Sequence, residues 1–386
     1  MKIVLAPDSF KDAATATAAC DAMAEGVRRV LPAAQTRACP IADGGEGFAE
    51  TLARPLGLRP YQAESIDALG RPAVQKCFCA DPSSTEATQN QIATLDLAES
   101  AGLEQLAPDE RDPTQTTTLG LGRMLRFAMQ PGVREVILGI GGSATNDAGC
   151  GCAQALGVRF FDRDGRRMLR PITGGDLDRI ATIDLDHRDP RLNEIDLRVA
   201  CDVTNPLTGP NGAAQVYGPQ KGASAADVQR LDAGVVHLAR VIREQLGIDV
   251  ESIPGAGAAG GMGAGALAFL DGTLAAGADL VLDALGFDGM IKDADLVLTG
   301  EGRLDGQSLS GKAVMKIAQR VKKVGVPVIA LVGAADEDAG RCLDAGLHGY
   351  EVLAPHLPAE ESIARTTELL AEAAERVVRR FANRNE

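Results

Sequence analysis

The stretch that most constrains the fold is VILGIGGSATNDAGCGCAQALG, residues 136–157. It begins with an apolar, β-branched run that is typical of a buried strand. A glycine-rich segment, residues 139–149, comes next, and small residues with helical character follow as far as Gly157. A strand, a glycine-rich turn and a helix in this order predict a parallel α/β sheet, whose ligand-binding loops follow the carboxyl ends of its strands.

The glycine-rich turn carries groups that can bind an anion. Its glycines allow a close approach of the backbone, and Ser143, Thr145 and the N–H groups of the next helix can donate to phosphate oxygens. Asn146 and Asp147 provide hard oxygen atoms suited to Mg²⁺ or to a substrate hydroxyl. The alternative is a plain strand-to-helix turn in which Asn146 and Asp147 act as caps.

The two ends of the chain share one pattern, a predicted strand followed by a polar loop. A strand at residues 2–6 leads into a polar loop at residues 7–12, and a strand at residues 295–298 leads into a loop at residues 299–306. This match predicts a Rossmann-like α/β domain with a parallel sheet, built from residues 1–65 and 288–386. A second α/β domain, residues 66–287, is inserted between them, and a cleft between two such domains is a natural ligand site.

Composition excludes several classes of protein. The 386 residues include 39 basic and 53 acidic ones, and the net charge of −14 argues against nucleic acid or an anionic membrane surface as a partner. No apolar stretch approaches the roughly 18 residues that span a bilayer. The eight scattered cysteines and the strand-like start of the chain predict a cytoplasmic protein with reduced thiols. None of the four histidines lies in a glycine-rich loop, so carboxylates are the better candidates for a base.

Two motifs come close to nucleotide-binding patterns. Residues 255–260 fit G-x-G-x-x-G, but the segment before them is a poor central strand, which favours a glycine-rich helix or loop packed against backbone or phosphate. Residues 306–312 fit G-x-x-x-x-G-K, but Ala313 stands where a P-loop needs Ser or Thr for Mg²⁺. Lys312 is nevertheless placed to lie near phosphates at a helix start.

Acidic and basic side chains recur in the loops that follow predicted strands. This pattern fits Mg²⁺-dependent phosphoryl transfer, in which cations neutralise phosphate oxygens and a carboxylate orients or deprotonates the attacking hydroxyl. The acidic members are Asp8, Asp43, Glu46, Asp147, Asp202, Glu301 and Asp305, and the basic ones are Lys11, Lys221, Arg303 and Lys312.

Taken together, these loops resemble the type I glycerate kinase family. The resemblance extends over nearly the whole chain, in order, through APDSFK (6–11), ADGGEG (42–47), GIGGSATNDAG (139–149), CDVTNPLTGPNGAAQVYGPQKGA (201–223), PGAGAAGGMGAG (254–265) and TGEGRLDGQSLSGKA (299–313). It implies transfer of the γ-phosphate of ATP to D-glycerate, Mg²⁺ dependence, a two-domain α/β fold and, for most members of this type, 2-phosphoglycerate as the product.

The resemblance and the loop chemistry give a set of expected site residues. The catalytic positions are Asp147 or Asp43, near the reacting hydroxyl, and Lys11. The positions expected to bind ATP or the substrate are Ser9, Gly141, Gly142, Ser143, Thr145, Asn146, Lys221, Glu301, Asp305 and Lys312. The positions expected to contact Mg²⁺ are Asp202 and Glu301.

Two other functions stay open on sequence grounds. One is a dinucleotide-dependent oxidoreductase of a small hydroxy acid, which would use the glycines of residues 255–260. The other is a non-catalytic metabolite sensor, which is disfavoured because the acidic and lysine positions of the loops are all retained. A homodimer is compatible with the sequence and also stays open.

Overall fold

The structure is a computed structural model. It describes residues 1–11, 13–42, 44–45, 47–80, 92–306 and 313–385. Two large sheets organise these residues. The strands are β1 (Lys2–Pro7), β2 (Gln35–Ala38), β3 (Arg59–Ile66), β4 (Pro72–Cys79), β5 (Ile92–Asp96), β6 (Glu135–Gly139), β7 (Arg159–Phe161), β8 (Thr182–Asp184), β9 (Asp196–Ala200), β10 (Thr273–Ala275), β11 (Leu296–Leu304), β12 (Val328–Ala335) and β13 (Gly349–Val352).

The α-helices are α1 (Ala16–Val30), α2 (Phe48–Leu56), α3 (Ala98–Ala101), α4 (Leu119–Ala128), α5 (Cys150–Ala155), α6 (Ala213–Tyr217), α7 (Ala225–Leu246), α8 (Ala258–Phe269), α9 (Gly277–Ala284), α10 (Phe287–Met290), α11 (Ala313–Lys322), α12 (Arg341–Asp344), α13 (Ala359–Ala364) and α14 (Thr366–Asn385). Short 3₁₀ turns cover Leu103–Gln105, Pro108–Glu110, Gly174–Arg179, Pro190–Asn193, Pro219–Lys221 and Ile291–Asp293. No helix in these described segments is long and apolar enough to span a membrane.

The first unit comprises Met1–Ala42 and Ala278–Glu386. Its sheet has the order β13-β12-β11-β1-β2, and every pair of neighbours is parallel. Ile3, Leu5 and Leu298 are buried in this sheet against side chains of α1 and α14. A continuous apolar run is what a strand needs when both faces of a parallel sheet are covered.

The second unit comprises Asp43–Gly277. Its sheet has the order β10-β9-β6-β5-β4-β3, in which the pairs from β10 to β5 are parallel and those from β5 to β3 antiparallel. A separate antiparallel pair, β7 with β8, lies between β6 and β9 in the sequence. The α/β class predicted from the sequence is therefore confirmed, and the second sheet is mixed.

The unit boundaries differ from the ones expected at residues 65 and 287. β3 pairs along its whole length with β4, so it belongs to the second unit. The first boundary therefore lies after residue 42. A second difference concerns the loop predicted to start at residue 299. β11 continues to Leu304, and Glu301 and Arg303 pair with Val332 and Ala334 of β12. The prediction of a loop over these residues is wrong because β12 provides a hydrogen-bonding partner all along this segment.

Candidate functional site

A pocket of about 290 Å³ lies within the second unit, at the carboxyl ends of parallel strands. β6 ends at Gly139 and β9 at Ala200, and the loops that follow these strands form two of its walls. Such strand ends are where open α/β sheets bind ligands. The pocket is lined by Gly44, Gly45, Leu103, Ile140, Gly141, Gly142, Ser143, Ala200, Asp202, Val203, Tyr217, Gln220, Lys221, Ala258 and Ala259.

The structure thus brings together five of the residues expected from the sequence. This one pocket is lined by Gly141, Gly142, Ser143, Asp202 and Lys221, although the first and the last of them are 80 positions apart in the chain. Thr145, Asn146 and Asp147 are completely buried and do not line it. They form the layer behind the pocket wall.

Backbone hydrogen bonds fix the glycine-rich wall. Gly141 N donates to Gly44 O at 2.9 Å, which joins the two glycine loops, and Ala144 N donates to Ala101 O at 2.8 Å. Gly44 has a φ of +85°, and a Cβ on it would lie 2.7 Å from the Cβ of Ala200. Glycine is required at this position for both reasons, since L side chains strain at positive φ and Ala200 leaves no room for a Cβ.

Lys221 provides a buried ammonium group at the pocket. Its side chain is 2% exposed, and Nζ donates to the carbonyl oxygen of Thr145 at 2.6 Å and to Ser143 Oγ at 3.4 Å. Burial lowers the pKa of Lys221 to about 7, and the nearby charge of Asp147 works against that shift. A small anion in the pocket would stabilise the protonated form.

Ser143 and Thr145 form hydrogen bonds with each other. Their hydroxyl oxygens are 2.9 Å apart, and Thr145 N donates to Ser143 Oγ at 3.1 Å. Ser143 also lines the pocket, whereas Thr145 does not. Of the two hydroxyls expected to hold a ligand, the structure therefore places only that of Ser143 at the pocket.

Asp147 occupies an internal position. Its Oδ2 accepts from Thr118 N at 2.7 Å, from Thr118 Oγ1 at 2.8 Å and from Gly151 N at 3.2 Å, and its Oδ1 accepts from Gly149 N at 3.2 Å. The side chain is 0% exposed. Burial raises the pKa of Asp147, opposed by the bonds from Thr118 and Gly151. This geometry argues against the expected role beside the reacting hydroxyl: the carboxylate joins the starts of α4 and α5 and satisfies their N–H groups.

Asn146 lies next to this anchor and is also completely buried. Neither its Nδ2 nor its Oδ1 forms a hydrogen bond with a residue that the structure describes. Buried amides nearly always find a partner, so this one marks a place where a water molecule or a ligand group is expected.

The glycine segment at the start of α8 supports the same wall. Ala259, Gly260 and Gly261 all have left-handed backbone angles. A Cβ on Gly260 would overlap the carbonyl oxygen of Thr145, and Gly260 O accepts from Ala148 N at 3.0 Å. The prediction that this segment packs closely against backbone is what the geometry shows. Its glycines serve the chain's own packing.

Asp202 is the carboxylate at the pocket that can contact a metal ion. It follows β9, is exposed, and accepts from Gly277 N at 3.1 and 3.2 Å. Across the residues that the structure describes, no group of three or more His, Cys, Asp or Glu side chains is arranged to hold a metal. One carboxylate nonetheless fits Mg²⁺, which proteins commonly hold through one or two carboxylates together with substrate phosphates.

Four of the remaining expected residues, Ser9, Lys11, Glu301 and Asp305, lie in the first unit. Asp8 N donates to Gly300 O at 2.8 Å, so the loop that carries Ser9 and Lys11 runs beside β11. Ser9 and Lys11 are exposed, Glu301 is 6% exposed within β11, and Asp305 follows the end of that strand. Asp43 and Lys312, together with Asp12 and Glu46, lie outside the described residues.

Asp96 is a residue of the site region that the sequence prediction missed. It ends β5, and its two carboxylate oxygens accept from Ala49 N at 3.1 and 3.2 Å. The helix that starts here, α2, has Gly47 as its own N-cap, which provides no side chain. Asp96 therefore caps α2, the helix that follows Gly44 and Gly45, although it lies on a distant strand. Burial raises the pKa of Asp96 to about 7. Only its position directly after the apolar strand residues 92–95 could have suggested it.

The fold and the pocket define an α/β protein with a small pocket between glycine-rich loops, beside a buried lysine and a carboxylate. A family model described as the glycerate kinase family matches residues 3–382, and the chain belongs to that family. The resemblance inferred from the sequence motifs is confirmed.

Individual relatives agree with this assignment. The chain is 43% identical to the glycerate kinase of Halalkalibacterium halodurans, over 97% of each chain. It is 42% identical to the glycerate 2-kinase of Escherichia coli K12, over 88% of this chain and 87% of that one. The structure is similar to the crystal structure of a Salmonella typhimurium LT2 protein assigned as glycerate kinase 2, with a TM-score of 0.86, 37% identity and coverage of 100% and 99%.

Proposed function

We propose that the protein is a glycerate kinase that transfers the γ-phosphate of ATP to D-glycerate in the presence of Mg²⁺ and forms 2-phospho-D-glycerate. The family assignment supports the kinase activity, and the name of the Escherichia coli relative supports the 2-position. The observation that carries the proposal is the pocket of about 290 Å³ with the buried Lys221 in its wall.

D-Glycerate matches this pocket in charge. Its carboxylate is an anion of the size that one buried ammonium and a glycine-rich wall can surround, and Lys221 and Ser143 are the side chains placed to bind it. A desolvated ammonium interacts with a carboxylate far more strongly than an exposed one, because the surrounding dielectric is low. Gly141 and Gly142 let the ligand approach the backbone. We assign Asn146 a supporting role, through a water molecule or a ligand hydroxyl.

For the nucleotide we propose the strand-end loops of the first unit. Ser9, Lys11, Glu301 and Asp305 gather along β11 and the loop beside it, and Lys312 is included from its sequence position. Bound Mg²⁺ would neutralise phosphate oxygens, and Asp202 and Glu301 are its proposed contacts. Lys11 would stabilise the negative charge that develops on the transferred group.

The carboxylate beside the reacting hydroxyl is proposed to be Asp43. Asp147 is saturated by four internal donors, which leaves it unable to accept a proton from a ligand without breaking the joint between α4 and α5. The residue after Asp43 in the chain, Gly44, lines the pocket. Asp147 is therefore proposed as the residue that holds the loop in place.

The oxidoreductase alternative loses its structural basis. A Cβ on Gly257 would overlap the carbonyl oxygen of Pro206, and one on Gly255 would lie 2.8 Å from the sulfur of Cys201. These glycines are therefore packed against their own chain, where a dinucleotide fingerprint needs them to face a pyrophosphate.

The test is an ADP-release assay with ATP, Mg²⁺ and D-glycerate, followed by phosphorus NMR of the product. We expect ADP release and a 2-phosphoglycerate signal. A 3-phosphoglycerate signal would retain the kinase and overturn the regiochemistry. Absence of ADP release from well-folded protein would reject the proposed reaction, and a change in NAD(H) absorbance with glycerate would restore the oxidoreductase.

A further inference from the structure

A second pocket in the same unit, of about 400 Å³, is lined by arginines. We call it the arginine pocket and define it by Arg167, Arg170, Arg179 and Arg230. Asp162 and Asp176 also line it. None of these residues lines the candidate substrate pocket or was expected from the sequence to bind a ligand.

The charge of this pocket is not balanced locally. Arg179 pairs with Asp176 at 2.9 Å, and Arg230 donates to Gly175 O at 2.9 Å. Among the described residues, the guanidinium groups of Arg167 and Arg170 have neither an ion pair nor a hydrogen bond. Both side chains are exposed at the concave surface, and their positive charge stays unpaired although the chain has 53 acidic against 39 basic residues.

The floor of the pocket is held in place. Gly175 N donates to Thr114 O at 3.0 Å, and Thr173 N and Oγ1 donate to Asp176 Oδ2 at 3.2 and 3.1 Å. Asp162 accepts through Oδ1 from two backbone N–H groups of its own turn. The acidic side chains therefore have structural partners, and Arg167 and Arg170 remain for a ligand.

The chemistry of the wall indicates the class of ligand. Planar guanidinium groups bind phosphate oxygens in pairs. Met168, Leu169 and Pro171 add an apolar edge, and Leu169 is 76% exposed. A phosphate group with a short carbon skeleton would satisfy both features.

The arginine pocket is connected to the glycine-rich wall of the substrate pocket through one short segment. Thr114 lines the arginine pocket, Thr116 Oγ1 donates to Ala144 O at 3.0 Å, and Thr118 donates to Asp147. All three threonines are buried. A shift at Thr114 would therefore reach the loop that carries Ser143 through packed, hydrogen-bonded residues.

We propose that the arginine pocket is an effector site for a small phosphorylated organic anion, whose binding changes the affinity of the substrate pocket. The binding itself stands without the proposed kinase reaction. The effect on the substrate rests on that proposed function.

The test compares three proteins: the unmodified chain, the double variant Arg167→Gln/Arg170→Gln, and the control Arg163→Gln/Arg166→Gln. The control removes the same charge from neighbouring positions that do not line the arginine pocket. Glycerol 3-phosphate is titrated into each protein by isothermal calorimetry at constant ionic strength, and thermal melts verify the fold.

We expect the unmodified chain and the control to bind, and Arg167→Gln/Arg170→Gln to bind about tenfold or more weakly, since two charge-assisted contacts are lost. In the ADP-release assay, the probe should change the KM for D-glycerate in the first two proteins only, with unchanged turnover of all three in its absence. Equal binding by the three proteins, or none, overturns the site. Arginine-dependent binding with a constant KM overturns the regulatory effect. Failure of the kinase assay alone leaves the calorimetric result intact.

Discussion

Replacement of Asp147 by Asn tests whether this residue is an anchor or a catalytic group. The substitution keeps the size of the side chain and exchanges one acceptor oxygen for an NH₂ donor. If the remaining oxygen takes the place of Oδ2, it keeps the bonds from Thr118 and Gly151, and the NH₂ group then faces the N–H of Gly149. One buried N–H is left without an acceptor.

The expected loss follows from this geometry. A buried donor without a partner costs about 1–3 kcal/mol. For a domain of 150–250 residues each kcal/mol lowers Tm by about 2–4 °C, so we expect a decrease of about 2–12 °C. Asp147→Ala leaves four donors without an acceptor and should lower the unfolding free energy by more than about 4 kcal/mol.

Differential scanning calorimetry together with the ADP-release assay decides between the two roles. The control is Asp227→Asn, which alters the exposed capping box of α7 at Ser224 and should lower Tm far less. We expect Asp147→Asn to lower Tm clearly and to lose activity because the loop that carries Ser143 is displaced. An unchanged Tm combined with a fall in kcat of several orders of magnitude would refute the anchor role and restore Asp147 as the catalytic carboxylate.

Three further predictions follow from the site. Burial lowers the pKa of Lys221 to about 7, and a lysine loses its charge as pH rises through its pKa, so the KM for D-glycerate should increase above about pH 7. Lys221→Met should raise KM and remove its dependence on pH. A pH-independent KM in the unmodified chain would contradict this prediction. Asp96→Ala removes the cap of α2 and should lower the unfolding free energy by about 0.5–2 kcal/mol in urea titrations and raise KM. Glu50→Ala, at an exposed position in the first turn of the same helix, should leave KM unchanged. Gly44→Ala should abolish most turnover, while Gly70→Ala, with a similar φ of +80° but open space around it, should lose only stability; equal kinetics of the two variants would argue against a packed glycine loop.

Much of the site was predictable because it depends on local chemistry. A strand followed by glycines and hydroxyl residues predicts a loop at a strand end, and in the structure Gly141, Gly142 and Ser143 of this loop line a pocket. Asp202 and Lys221 were expected for the same reason, and the structure adds them to that pocket. The order of the motifs along the chain also identified the family.

The sequence by itself determined the α/β class, the glycine-rich loops and the family, since these follow from residue types at short spacing. The tertiary structure decided which polar residues line the pocket and which lie behind its wall. Asp147 and Asp202 look alike in sequence, but Asp147 is 0% exposed and bonded to four donors, whereas Asp202 lines the pocket. Asp96 caps a helix that begins 48 positions earlier, at Phe48. Burial and hydrogen bonds between distant segments set these roles, and spacing along one chain does not encode them.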